Sequence, residues 1–186
     1  MKDIKGLKIN DLGFNPMKLG DFLYYEGPLL SHFIDKNKPE DNYFYSWVDF
    51  NEKAHRWLIS KFAERDLLTF FNGEISMQTM IKSNNFVTLL DLDNELNKLQ
   101  IQIVPTSDLP DNYLPIEDSF YKEEFYHKYA AQLKQTLSQK HAAQVEEKAI
   151  LKLLLQEVQS IKIQQSKTNG VLTVLANNLN ISLENS

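Results

Sequence analysis

A chain of 186 residues with 42% hydrophobic, 11% aromatic and 24% charged side chains has the composition of a folded protein with one core, or a core plus an extension. The absence of cysteine excludes disulfides, thiolate nucleophiles and Cys-dependent zinc sites, and it fits a reducing compartment, so the cytoplasm is the expected location. The net charge of -5 reflects an acidic excess concentrated in residues 1–116, which also hold both arginines, Arg56 and Arg65; nucleic acid is therefore not an expected partner.

Polar residues Asp3, Asn10, Asp11 and Asn15 interrupt the first twenty positions, which argues against a signal-peptide core, and no uncharged apolar run is long enough for a membrane span. Residues 1–16 are read as an N-terminal segment. The runs "LYYE", "PLLSHFID", "NYFYSWVDF" and "AHRWLISKF" predict a meander of antiparallel strands. In the third, strict alternation puts Tyr43, Tyr45 and Trp47 on one face and Phe44, Val48 and Phe50 on the other, so at least one face needs a cover. Gly27-Pro28 falls inside "FLYYEGPLLSHF". Proline lacks an amide hydrogen and glycine tolerates unusual backbone angles, so the pair implies an edge, a bulge or a sharp bend.

Two short helices follow as the predicted cover: "AERDLLTFF", stopped at Asn72-Gly73, and "SMQTMIKS", with Ser76 as N-cap. "NFVTLLDL" and "KLQIQIV" form a second predicted hairpin, and Pro105, Pro110 and Pro115 mark a boundary. These elements give an α+β domain over residues 17–116, with a small antiparallel sheet and two short helices.

Residues 117–186 change character. From Ser119 to Gln165 there is no Gly or Pro, and the composition predicts one long helix or two abutting ones. With Leu137 at heptad position a, Tyr126, Ala130, Leu133, Leu137, Leu151, Leu154, Val158 and Ile161 fall on the a/d seam, interrupted by Lys140, Gln144 and Glu147. Leu133, Leu137, Leu151, Leu154, Val158 and Ile161 are the expected oligomerisation residues of a coiled-coil-like extension, making homo-oligomers. In the competing arrangement "SKTNG" turns the chain and "VLTVLANNL", with Val171, Leu172, Val174, Leu175 and Leu179, packs back as a return helix.

Catalytic patterns are mostly missing. The four histidines, His32, His55, His127 and His141, are isolated, and neither a nucleophile elbow nor a phosphate loop is present. Asp91, Asp93 and Glu95 alternate along "DLDNE" and offer carboxylates for a hard cation, but Leu96 and Gln102 stand where a calcium loop needs Gly and Glu. A metal-dependent hydrolase on this cluster is the alternative reading. The preferred one has no catalytic residue, no metal and no cofactor.

"YYEGPLLSHF", "YFYSWVDF" and "HRWLISKF" resemble the Tyr-x-Gly-Pro-Leu, Trp-x-Asp and Arg-Trp-Leu motifs of a family of small bacterial domains without an assigned activity, over residues 17–105. The resemblance implies a bacterial intracellular α+β module, such as a regulatory, immunity or phage-defence accessory, and supplies no reaction. On this basis Tyr25, Glu26, Trp47, Asp49, Arg56 and Trp57 are the expected contacts to another protein, since aromatic and arginine side chains dominate interface hot spots. Asp49 and Arg56 are expected to pair across the hairpin.

Overall fold

Strand formation follows the alternating runs. In the computed structural model, which describes residues 1–2 and 4–184 with side chains as far as Leu175 and at Asn177, the strands are β1 (Leu7–Ile9), β2 (Pro16–Tyr24), β3 (Pro28–Asp35), β4 (Lys38–Asn51), β5 (Ala54–Phe62), β6 (Phe86–Leu92) and β7 (Lys98–Pro105). They form one antiparallel sheet in the order β1-β7-β6-β5-β4-β3-β2. Helices α1 (Glu64–Phe71) and α2 (Met77–Lys82) connect β5 to β6, and α3 runs Lys128–Glu184. The fold is α+β, as expected. Gly73 takes a left-handed φ of 75° after α1, and the Ser76 hydroxyl accepts a bond from the Thr79 amide at 3.1 Å, the cap that "SMQTMIKS" foretold.

β1 and β2 lie at opposite edges of the sheet, so residues 10–15 must cross a whole face. Six interstrand spacings laid flat come to about 29 Å, whereas the linker reaches about 24 Å at full stretch. The sheet is therefore coiled, in keeping with the right-handed twist of its strands. The crossing segment covers the face it spans: Phe14 stacks on Tyr43 with ring centroids 3.9 Å apart, and Leu12 packs beside it. Beneath lie Tyr45, Ile59, Leu90 and Ile101.

The other face carries the larger core. Phe22, Phe44, Leu58, Leu89 and Val104 meet Leu67, Phe70 and Phe71 of α1 and Met77, Met80 and Ile81 of α2. Sheet parity was expected to place Phe50 with Phe44. A register shift between Trp47 and Asp49 breaks the alternation at Val48, and Phe50 instead stacks on Trp47 at 5.3 Å.

The division into residues 1–16, 17–116 and 117–186 needs correction. One compact unit spans Met1–Ser138 and a second Gln139–Ser186. Residues 7–9 supply an edge strand, while Tyr121, Ala130 and Leu137 are buried in the first unit's core, with Tyr126 and Leu133 packed against it. The helix begins at Lys128 rather than near Ser119, because Glu123–Phe125 forms a 3-10 turn that carries the chain back to β2. There the His127 amide donates to the Phe22 carbonyl at 2.8 Å. The first turns of α3 then lie across the sheet edge. A Cβ on Gly20 would sit 2.5 Å from the Tyr129 ring, so only glycine permits that approach.

The expected turn at "SKTNG" does not occur: α3 continues through Gly170. The return-helix arrangement is thereby excluded for Val171, Leu172, Val174 and Leu175; the side chain of Leu179 lies outside the described residues.

Candidate functional site

The Gly-Pro pair closes a hairpin. β2 ends at Tyr24, which pairs with Pro28, and the chain reverses through Tyr25, Glu26 and Gly27, with the Tyr25 amide donating to the Gly27 carbonyl at 2.9 Å. The left-handed position is Glu26 (φ 49°), an unusual residue for that conformation, rather than Gly27. Pro28 opens β3 where no ladder bond requires its missing amide hydrogen. The turn leaves Tyr24 and Tyr25 63% and 72% exposed.

Opposite this turn runs the segment from Asn112 to His127, held by polar contacts along its length. Gln78 donates its side-chain amide to the Pro115 carbonyl at 2.8 Å, the Met77 amide donates to the Ser119 carbonyl at 2.9 Å, and His127 is tied to Phe22. Between turn and segment lie two adjoining clefts that share Leu23, Leu29 and Tyr126. One, of about 360 Å³, is walled by Trp47, Val48, Met77 and Pro115. The other, of about 370 Å³, is walled by Tyr24, Tyr25 and Phe125, with Glu124 and His127 at its rim. Burial pushes the Tyr126 phenol up to about 12, so it remains a neutral hydrogen-bonding group on the floor of the clefts. Exposed aromatic rims around a mostly apolar floor accommodate apolar side chains of another molecule.

The six expected contact residues divide among four places. Tyr25 and Trp47 line the two clefts and Glu26 occupies the turn. Trp57 lies directly across from Trp47 in the ladder but packs into the smaller core under the crossing segment, and its Nε1 finds no acceptor among the described residues. Asp49 and Arg56 occupy a buried polar network on the helix-covered face. Arg56 donates from Nε and Nη2 to the two carboxylate oxygens of Asp91, both at 2.7 Å, and from Nη1 to the Lys2 carbonyl at 2.6 Å and the Tyr113 hydroxyl at 3.3 Å.

Asp49 and Arg56 are register partners, as expected, but their link is indirect: the Tyr113 hydroxyl donates to Asp49 while accepting from Arg56. Burial opposes ionisation of Asp49, yet hydrogen bonds from Tyr113 and from the Lys2 and Phe50 amides outweigh it and hold the carboxyl below the usual range. The bidentate Asp91 contact raises the Arg56 guanidinium further, against its burial. This network fastens residues 1–2 and the Tyr113 turn to the sheet. With Arg56 only 4% exposed and each of its three guanidinium nitrogens bonded, its role is internal.

No family model matches this chain, and no curated protein and no solved structure matches it. The three short motifs coincide with structural joints: the hairpin turn, the Val48 bulge and the Arg56–Asp91 pair.

The acidic cluster does not converge. Asp91 faces the core and is held by Arg56, whereas Asp93 is half-buried and accepts from the Glu95 and Asn97 amides at 2.9 and 2.8 Å, shaping the β6–β7 turn. A register shift between Asp91 and Leu92 separates the two. Among the described residues no group of three His, Asp or Glu side chains could hold a metal ion. His32 is buried, stacked beside Phe22 and bonded to Asn42 and Tyr129; it is a core residue.

A second surface belongs to the second unit taken by itself. From Gln139 onward α3 buries none of its described side chains, and Ile150, Leu151, Leu153, Leu154, Leu155 and Val158 are 48–62% exposed. The expected oligomerisation set therefore splits. Leu137 is 6% exposed inside the first unit's core, and Leu133 packs against that core, so neither is free to meet another copy; Leu151, Leu154, Val158 and Ile161 remain exposed. No helix among the described residues is long and apolar enough to cross a membrane.

Proposed function

We propose that this chain is a non-enzymatic protein-interaction module that self-associates through α3 beyond Gln139 and receives an apolar segment of a partner protein in the clefts between the β2–β3 turn and residues 112–127. One observation carries the reading: a helix from Ile150 to Leu175 whose leucine, isoleucine and valine side chains are about half exposed in a single chain. Exposed apolar area on that scale marks an association surface. A regulatory, immunity or phage-defence accessory role in the bacterial cytoplasm completes the proposal, supported by the resemblance of the three short motifs and, for the compartment, by the absence of cysteine.

Light scattering on the full chain tests the first half. The expected mass is a multiple of 21.7 kDa, returning to that value when Leu151→Asp and Leu154→Asp are combined; a wild-type monomer at tens of micromolar would refute self-association. Selection of a displayed peptide library on the full chain tests the second half. Peptides with apolar anchors should be enriched, and Tyr25→Ala with Trp47→Ala should abolish their capture; absence of enrichment refutes the cleft as a docking site.

A further inference from the structure

The apolar surface of the second unit repeats. Ile150-Leu151-x-Leu153-Leu154 recurs three heptads later as Val171-Leu172-x-Val174-Leu175, with the same residue class at each of the four positions. In a straight helix of 3.6 residues per turn the second block would be rotated by about 60° from the first, at about 20° per heptad. Two blocks of like residues in strict heptad phase face one direction only if the helix is supercoiled about neighbouring helices.

The width of each block sets how many neighbours are needed. Placed at 100° per residue, Leu153, Ile150, Leu154, Leu151 and Leu155 occupy consecutive directions across about 200°, and the second block covers about 160°. A two-stranded coil buries only the a and d positions, Leu151 and Leu154, and would leave Ile150 and Leu153, and likewise Val171 and Val174, in water. A second neighbour on the other side covers them. At on the order of 80 Å² each, the twelve exposed leucine, isoleucine and valine side chains from Ile150 to Leu175 bring roughly 1,000 Å² per chain, at least what one partner contributes to a stable specific interface.

We infer that the second unit forms a parallel, in-register bundle of at least three copies of this chain. This deepens the proposed self-association and depends on it. In parallel register every seam position faces itself. Leu151, Leu154, Val158, Ile161, Leu172 and Leu175 then make apolar layers and Gln165 and Thr168 polar ones, the Thr168 hydroxyl donating to the Gln164 carbonyl of its own helix; the like-charged Lys140 and Glu147 layers confine the apolar register to positions from Leu151 onward. Antiparallel alignment of the two blocks would set Val158 against Thr168 and Ile161 against Gln165, burying polar groups without partners. An antiparallel alignment centred on the first block, Leu151 against Leu154, would set Val158 against Glu147 and Ile161 against Gln144. Charge agrees with the parallel choice: Glu157 at g and Lys162 at e are five residues apart, the spacing that pairs them between adjacent parallel chains.

The chain lacks cysteine, so single substitutions report orientation cleanly. Full-length Leu151→Cys and Leu175→Cys variants, oxidised separately and as an equimolar mixture refolded together, should each form disulfides between identical positions, and the wild-type mass should be at least three times 21.7 kDa. A dimer mass, or disulfides that form only between position 151 and position 175, overturns this inference while self-association stands. A monomer overturns both.

Discussion

Lowering the pH from 7 to 4.5 loads a proton onto nearly every His32 in the unfolded chain but onto only about a quarter of those in the folded one. His32 is 1% exposed on β3, and burial drives its pKa from 6.5 down to about 4, against the opposing hydrogen bond with Asn42. The network fixes its neutral form. The Asn42 side-chain amide donates to the Glu40 carbonyl at 2.9 Å, so the Asn42 oxygen faces His32 and accepts from Nε2 at 2.9 Å, leaving Nδ1 to accept from the Tyr129 hydroxyl at 2.7 Å. Because the folded pKa is the lower one, its contribution to stability is fully present above pH 6.5 and is lost as the pH falls through 4. Linkage gives a loss of about 1.4 kcal/mol by pH 5.5 and about 2.5 kcal/mol by pH 4.5. With an m of about 2 kcal/mol/M, the pH 5.5 loss alone lowers the urea midpoint by roughly 0.7 M. Carboxylates titrate over the same range, so the decisive quantity is the difference between wild type and His32→Phe, measured by urea melts at pH 7, 5.5 and 4.5. The variant starts less stable, having stranded Asn42 and Tyr129, and the gap should narrow by the stated amounts as pH falls. A constant gap, or an imidazole NMR titration of His32 near 6.5, would refute the reasoning.

Two further outcomes follow from packing. Arg56→Met strands Asp91 in the core and should cost about 3–5 kcal/mol in a urea melt, whereas adding Asp91→Leu should recover part of that loss because no charge is left buried and unpaired; a double variant no more stable than the single would contradict the network. Gly20→Ala drives a methyl group into the Tyr129 ring and should cost about 1–3 kcal/mol, recovered in part by Tyr129→Leu, as a double-mutant cycle of melting midpoints would show.

How much of this was legible in the residues differs from element to element. Alternation, turn chemistry and caps are local, so β3 to β7, the two short helices and the Ser76 cap could be read directly, whereas "LYYE" caught only the last two residues of β2 and ran on into the turn. Phe50 was misplaced because the Val48 bulge leaves no local mark, and one extra residue reverses every side chain beyond it. The clefts owe Phe125 and Tyr24 to the return of residues 112–127 over the β2–β3 turn, which no sequence period announces. Asp91 looked like a cation ligand beside Asp93 until the ladder set it against Arg56, thirty-five residues away.

By itself the sequence determined what short-range chemistry can determine: which segments are strands or helices, which catalytic patterns are missing, and a long heptad seam rich in leucine. Tertiary structure alone decided which part of that seam was already spent. Leu133 and Leu137 satisfy the same heptad as Leu151 and Leu154, yet the first pair packs into the sheet's own core and the second stays exposed. The reason is that periodicity says only that a face must be buried; the burying surface is set by contacts between residues distant along the chain, here the apolar face of a sheet assembled from residues 7–105.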